Sequence, residues 1–339
     1  MMTTSQRQLL GLRALRLATG TAACLAASFA LDLSIPVMAP VFAVFLFASV
    51  NRPLSLRASL GLVVLVALTT GSGLLLVPLL RHYPISGLLL VGLGLFLAFR
   101  YGLRGGNPLV STFLAAGLTM ISAAGTADFQ LAMSVVGALA KGLLLAIVAL
   151  ALGHWLFPEP PTIARPATSP TLPNAQTVRL ALRAALVVLP AFLLALVDPA
   201  SYMPIIMKSV SLGRQSCTTS ARHAARELLG STLLGGALAI VFWFALKWFV
   251  HLWMFFLWML LFGLLIARKL YALSRTRYTP GFWLNAWVTL IILLGQSVQD
   301  SVAGKDVYTA FAVRMGLFIA VTLYACLMLQ LLDRRPRWR

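Results

Sequence analysis

Residues 131–157 read LAMSVVGALAKGLLLAIVALALGHWLF, an apolar run broken by a single lysine, Lys141, near its middle. An α-helix rises 1.5 Å per residue, so roughly 20 such residues cross the ~30 Å hydrocarbon core of a bilayer. This run is long enough to do so. The same character extends over the whole chain. Of its 339 residues, 60% are apolar and 10% charged, with a mean hydropathy of +0.92. A soluble domain has roughly 45–50% apolar and about 25% charged residues. A chain this poor in charge cannot cover a water-facing surface, which excludes a soluble enzyme, a nucleic-acid binder and a disordered protein.

Working outward, the sequence predicts an all-α polytopic membrane protein of about 12 spans, near 14–31, 35–50, 58–80, 84–99, 107–124, 131–156, 184–198, 202–213, 228–250, 251–267, 280–298 and 307–332. The seventh and eighth are short for a full crossing. What remains is spread thinly over loops and ends.

Several matches in order point to a duplication. Ala14-Leu15-Arg16 resembles Ala181-Leu182-Arg183, and Asp32 and Asp198 end matched spans. Pro36 matches Pro204, Arg57–Gly61 matches Arg226–Gly230, and Pro108/Asp128 match Pro280/Asp300. Lys141 then falls opposite Arg314. Fixed-offset similarity is the signature of repeat architecture. The division is a first six-helix repeat at 1–157, a linker at 158–178 and a second repeat at 179–339. Prolines crowd the linker, which forbids helix and favours extended backbone. An even number of spans per half makes the repeats parallel, related by an axis along the membrane normal.

Net charge is +19, from 27 Lys and Arg against 8 Asp and Glu. Most of the basic residues fall in the N-terminus, 51–57, 100–106, 157–183, 213–226, 268–277 and the C-terminus. Arg81, Lys247 and Lys305 fall in the opposite loops, and Lys141, Lys208 and Arg314 within spans. Lys and Arg are retained on the cytoplasmic side during insertion, so both termini are expected there and the basicity reports topology, not nucleic acid. The N-terminal span also reads as a signal peptide, with basic residues before an apolar stretch ending Ser28-Phe29-Ala30. Its uncleavable copy in the second half argues against cleavage.

Cys24, Cys217 and Cys326 are odd in number and scattered, and form no disulfide framework or metal site. No P-loop, H-E-x-x-H or G-x-S-x-G sequence is present. No cofactor is expected.

Charges within a bilayer are costly and often functional. Lys141 and Arg314 read either as the lining of an anion path or as side chains snorkelling to headgroups. Residues 202–219 are too polar for a lipid-facing helix. Polar segments at membrane depth survive when buried in protein or lining a wet cavity. Lys208, Ser209, Ser211 and Arg214 are therefore candidate substrate contacts, the alternative being a basic cytoplasmic loop. Asp32, Asp198, Asp128 and Asp300 are candidate proton carriers or plain helix caps. His154 and His251 read as interfacial. The Trp- and Phe-rich stretch 242–258 reads as an aromatic belt, a partner-docking surface or a gate. Gly71/Gly73 and Gly235/Gly236 read as helix-packing positions.

On the duplication, the opening Arg-Ala-Leu-Arg (13–16), its echo Leu-Ala-Leu-Arg (180–183) and the Pro-containing second spans, the chain resembles the fusaric acid resistance/aromatic acid exporter superfamily. The resemblance implies a bacterial inner-membrane exporter of aromatic carboxylates and related toxic compounds, working with a periplasmic adaptor of the membrane-fusion type. The chain also resembles, more distantly, the plant aluminium-activated malate transporters, which have one six-span unit per chain and pair to form an anion path. Larger exporters carry sizeable cytoplasmic domains between and after the halves. Here the short linker and the tail from Asp333 to Arg339 imply a compact form. The expected activity is secondary export of small organic anions, with proton coupling, in contact with membrane lipids and with oligomerisation open. Two other readings remain. One is a membrane enzyme acting on a lipid-linked phosphate through Arg214, Arg222, His223 and Arg226; the other is a non-transporting structural subunit.

Overall fold

The computed structural model describes residues 4–50, 55–159, 173–217, 225–249 and 251–333. Among them twelve α-helices carry the chain: α1 (Thr4–Ala30), α2 (Met38–Ser49), α3 (Leu56–His82), α4 (Pro84–Leu103), α5 (Pro108–Ala127), α6 (Phe129–Leu156), α7 (Asn174–Val197), α8 (Pro199–Ser216), α9 (Gly230–Trp248), α10 (Leu252–Leu270), α11 (Pro280–Val302) and α12 (Val307–Asp333). A π-helical turn, Ala225–Leu229, leads into α9. Proline opens several of them, as Pro84, Pro199 and Pro280. It fits there because its fixed φ suits the first turn and its missing N–H would have no helical partner. Asp198 caps α8 by accepting from the Ser201 N–H at 3.3 Å, and Thr279 caps α11 by accepting from Phe282 N–H at 3.4 Å.

Ten of the helices are long and apolar enough to cross a membrane. The two that are not are α2 and α8, which changes the expectation for the short spans. The seventh span, expected at 184–198, is a full-length helix from Asn174. Its first turns carry Arg179 and Arg183, and this polarity hides the helix from a hydropathy reading. The second span proves short: α2 has 12 residues, ~18 Å at helical rise. The expected linker at 158–178 falls mostly on 160–172, outside the described residues, and its last residues belong to α7.

The helices pack into two compact units that do not follow the halves of the chain. Unit 1 holds α1, α2, the start of α3, α6 from Ala138, α9, α10, α11 and α12 to Met315. Within it α1 packs on α2 and on α10, α10 on α11, and α11 on α2, closing a ring of four helices. Unit 2 holds α3 from Val64, α4, α5, α6 to Gly137, α7, α8 and α12 from Gly316. Its ring is α7 on α8 and α4, α4 on α5, and α5 on α8. Adding six to each helix number in one ring, with α1 following α12, gives the other.

Burial follows the rings. Every residue of α2 from Met38 to Phe47 is buried, as is every residue of α8 from Met203 to Gly213. A helix buried on all sides sits inside a larger bundle. The outer helices instead show apolar stripes to the surroundings, such as Leu60, Val64, Leu68 and Leu75 on α3. Close helix contacts use glycine. A Cβ at Gly73 of α3 would lie 2.5 Å from the Gly117 carbonyl oxygen of α5, and one at Gly235 of α9 would lie 2.6 Å from that of Ala286 on α11. Gly236 abuts Met315, whereas Gly71 meets nothing within 4 Å. In unit 1, α1 is part of the core through Leu17, Ala18, Ala22 and Leu25.

Candidate functional site

The stretch that reads as too polar for lipid is α8, and it is a continuous buried helix, not a loop. Pro204 lies inside it, past the first turn, where its missing N–H removes one rung of the backbone ladder. Lys208 is 0% exposed. Its Nζ lies 5.9 Å from the centroid of the Phe318 ring on α12, within reach of the ring's negative face. Ser209 and Ser211 are buried beside it. The Ser209 hydroxyl donates to the Ile206 carbonyl at 2.9 Å, within its own helix. Arg214 is half-buried a turn and a half further on. The four α8 candidates thus share one helix of unit 2.

The other expected cations lie in unit 1. Arg314 of α12 forms a forked pair with Asp300 of α11, Nη2 to Oδ1 at 3.0 Å and Nη1 to Oδ2. Bidentate pairing of this kind joins geometric fit to charge. Lys141 is exposed on α6, on a face it shares with Leu144, Val148 and Leu152. Lys141 and Arg314 do not occupy matching positions: Lys141 lies twelve residues beyond the start of α6, Arg314 seven beyond the start of α12.

The carboxylates divide similarly. Asp300 is buried within α11, and is the only acid in the buried class among the described residues. Asp128 does not match it. Asp128 precedes α6 and accepts from Gln130 N–H at 3.1 Å, as Asp306 precedes α12 and accepts from Tyr308 N–H at 3.1 Å. Hydrogen bonds from Thr309 Oγ1 and the Tyr308 N–H hold the Asp306 carboxyl below its ordinary pKa. Asp198 is the cap of α8, and Asp32 is exposed after α1 with φ 46°, a left-handed conformation that Asp tolerates.

Sequence reasoning missed a cluster at one end of unit 1. Arg13 and Arg16 read as topology charges, yet both bind Glu159, just past α6. Arg13 Nε and Nη2 lie 3.0 and 2.5 Å from Oε1, and Arg16 Nη1 lies 2.8 Å from Oε2. Arg16 Nε also donates to the Phe157 carbonyl at 2.7 Å. Burial raises the Glu159 pKa, but the two guanidinium groups outweigh it and hold the carboxyl below its ordinary value. Their spacing (i, i+3 on one helix face) shows only that the two can meet one partner, not which. In unit 2, Arg183 donates to the Ser216 carbonyl. Asn285 and Ser231 form a buried hydrogen bond of 2.6 Å in unit 1, also unforeseen.

His154 is buried, with Nδ1 2.9 Å from the Leu150 carbonyl oxygen; His251 is exposed. In the aromatic stretch, Phe242 and Phe255 are buried edge-to-face at 5.8 Å, whereas Trp248 and Trp253 are exposed. For the lipid-phosphate reading, Arg226 is exposed on the π-helical turn, and Arg222 and His223 lie outside the described residues. Among the described residues no group of His, Cys, Asp and Glu could hold a metal ion.

A family model described as "Protein of unknown function (DUF2955)" matches residues 13–153. No curated protein and no solved structure matches the chain.

Proposed function

We propose that this multi-pass membrane protein is a secondary transporter that exports small organic, chiefly aromatic, anions across a bacterial inner membrane. The observation that carries the reading is Lys208, a lysine placed at 0% exposure in α8 of unit 2. A cation at such depth is expensive and is retained where it meets a cargo or an ion. The site is Lys208, Ser209, Ser211 and Arg214 on α8. Lys141 is left out because it faces away among exposed leucine and valine side chains, and Arg314 because Asp300 already engages it. Asp300 is our candidate proton carrier, because its buried carboxylate faces Arg314 within the span.

The architecture we propose is two parallel six-helix repeats. Supporting it are the ordered sequence matches and the two four-helix rings that interconvert on adding six. Both termini lie in the cytoplasm on the bias of Lys and Arg between loops. The resemblance adds a periplasmic adaptor as partner. We read the chain as a transporter and not an enzyme, because no paired carboxylates accompany Arg214, Arg222, His223 and Arg226 in the sequence.

The test is efflux of radiolabelled benzoate from proteoliposomes containing the purified protein, alongside survival of a deletion strain on weak aromatic acids. Protein-dependent, saturable benzoate flux supports the reading. Flux equal to that of empty liposomes, together with unchanged survival, overturns it.

A further inference from the structure

Arg13 and Arg16 bring two positive charges to one carboxylate. Glu159 takes three hydrogen bonds from them through both oxygens, and its side chain is 9% exposed. Arg16 is itself 3% exposed, and its Nη2 is buried with no acceptor among the described residues. The cluster therefore keeps one net positive charge and a spare, desolvated donor. That is more than a structural staple needs. The sequence-matched arginine of the second half, Arg183, donates to a backbone carbonyl, and Leu180 stands where Arg13 would be.

Glu159 differs from an ordinary helix-bound partner. It lies beyond the end of α6, after Pro158, which offers no N–H to a helical ladder. Its carboxylate is thus attached to a short non-helical arm and fixed by the guanidinium forks. A free carboxylate makes the same paired bonds to the same forks. Exchanging one for the other leaves the net charge of the cluster unchanged, which avoids the large cost of an emptied site. A tethered group competes at an effective concentration in the millimolar range or above, so a free ligand must be abundant to displace it.

We propose that Arg13 and Arg16 form a receiving site for a small carboxylate at the end of unit 1 that the charge bias places in the cytoplasm, and that Glu159 is the chain's own ligand for it. The resting site is filled by Glu159, and a cargo carboxylate enters by displacing it. This rests on the anion-export reading and names where its cargo is first bound.

The experiment uses the full chain in lipid nanodiscs, with sodium acetate and radiolabelled benzoate as probes and sodium chloride at equal ionic strength as control. Wild type, Glu159→Ala and Glu159→Ala/Arg16→Ala are compared by thermal unfolding and by direct benzoate binding. We expect Glu159→Ala to melt lower in chloride and to be restored saturably by acetate or benzoate. Its half-saturation for benzoate should be at least ten-fold below that of wild type, and the Arg16 double variant should not respond. Equal benzoate binding by wild type and Glu159→Ala, or restoration by chloride alone, overturns the site. Should Glu159→Ala not accumulate, Glu159→Gln, which keeps the shape but not the charge, is read by the same benzoate binding. Arg16-dependent binding without flux in proteoliposomes would sink export and leave the site; flux with no effect at Glu159 would do the reverse.

Discussion

Arg314, about two turns into α12, reaches back to both carboxylate oxygens of Asp300 on α11. The charge on α12 is thereby supplied with a counter-charge inside unit 1. Removing one partner of a buried pair leaves the other uncompensated, while removing both does not. Asp300→Asn should lower the free energy of unfolding by roughly 3 kcal/mol, measured by equilibrium denaturation in mixed micelles. Asp300→Asn/Arg314→Gln should recover more than half of that. A double variant no more stable than the single one would show that the pair is not what holds the two helices there.

Lys208 is tested on transport. Lys208→Met should lower benzoate efflux at least ten-fold in proteoliposomes that hold equal amounts of folded protein. Lys208→Met proteoliposomes that export at the wild-type rate would remove α8 from the transport path.

Packing gives a sharper contrast between two glycines. At Gly235 a Cβ would come 2.6 Å from a backbone oxygen, which cannot move aside as a flexible side chain can. Gly235→Val should cost about 1–3 kcal/mol as overpacking and reduce the folded yield by fluorescence-detected gel filtration. Gly71→Ala meets open space and should match wild type.

Acid should loosen one end of unit 1. The Glu159 carboxyl is held below its ordinary pKa despite burial, so the folded state favours the ionised form. A depressed folded value contributes stability that is fully present above the unfolded carboxyl pKa of about 4.3. It is lost as pH falls through the lower folded value. As the pH falls below about 4.3, the wild-type melting temperature should thus fall more steeply than that of Glu159→Gln. Parallel curves for the two proteins would show that Glu159 does not carry the acid response.

Much of the fold is written in single residues. The apolar run around Lys141 announces α6, and Pro84, Pro199 and Pro280 mark helix starts where they occur. Hydropathy fails where burial is by protein and not by lipid. Polar α8 reads as a short span, with a loop as the alternative, because its serines and Lys208 lower the average although they are buried in protein. α7 looks short because Arg179 and Arg183 interrupt the average. The Lys208 environment is half legible: its depth can be guessed from the run, but Phe318 lies far along the chain. The Arg13–Arg16–Glu159 cluster was not legible, since a carboxylate in a proline-rich stretch gives no sign of which helix it returns to. The matching of Asp128 with Asp300 failed because equal spacing from a proline ignores where the helices begin; the caps identify Asp306 instead.

The α1–α2–α10–α11 ring has a bearing on how the protein is made. The first two helices leave the ribosome long before α10 and α11 exist, so through most of synthesis α2 lacks the neighbour that encloses it. Its 12 residues are too few to rest stably across the bilayer alone. Assembly of this ring is therefore postponed until the last quarter of translation. An N-terminal half synthesised by itself would be left with an unsatisfied second helix, prone to capture by quality-control proteases, and supplying the C-terminal half from a separate gene should rescue it.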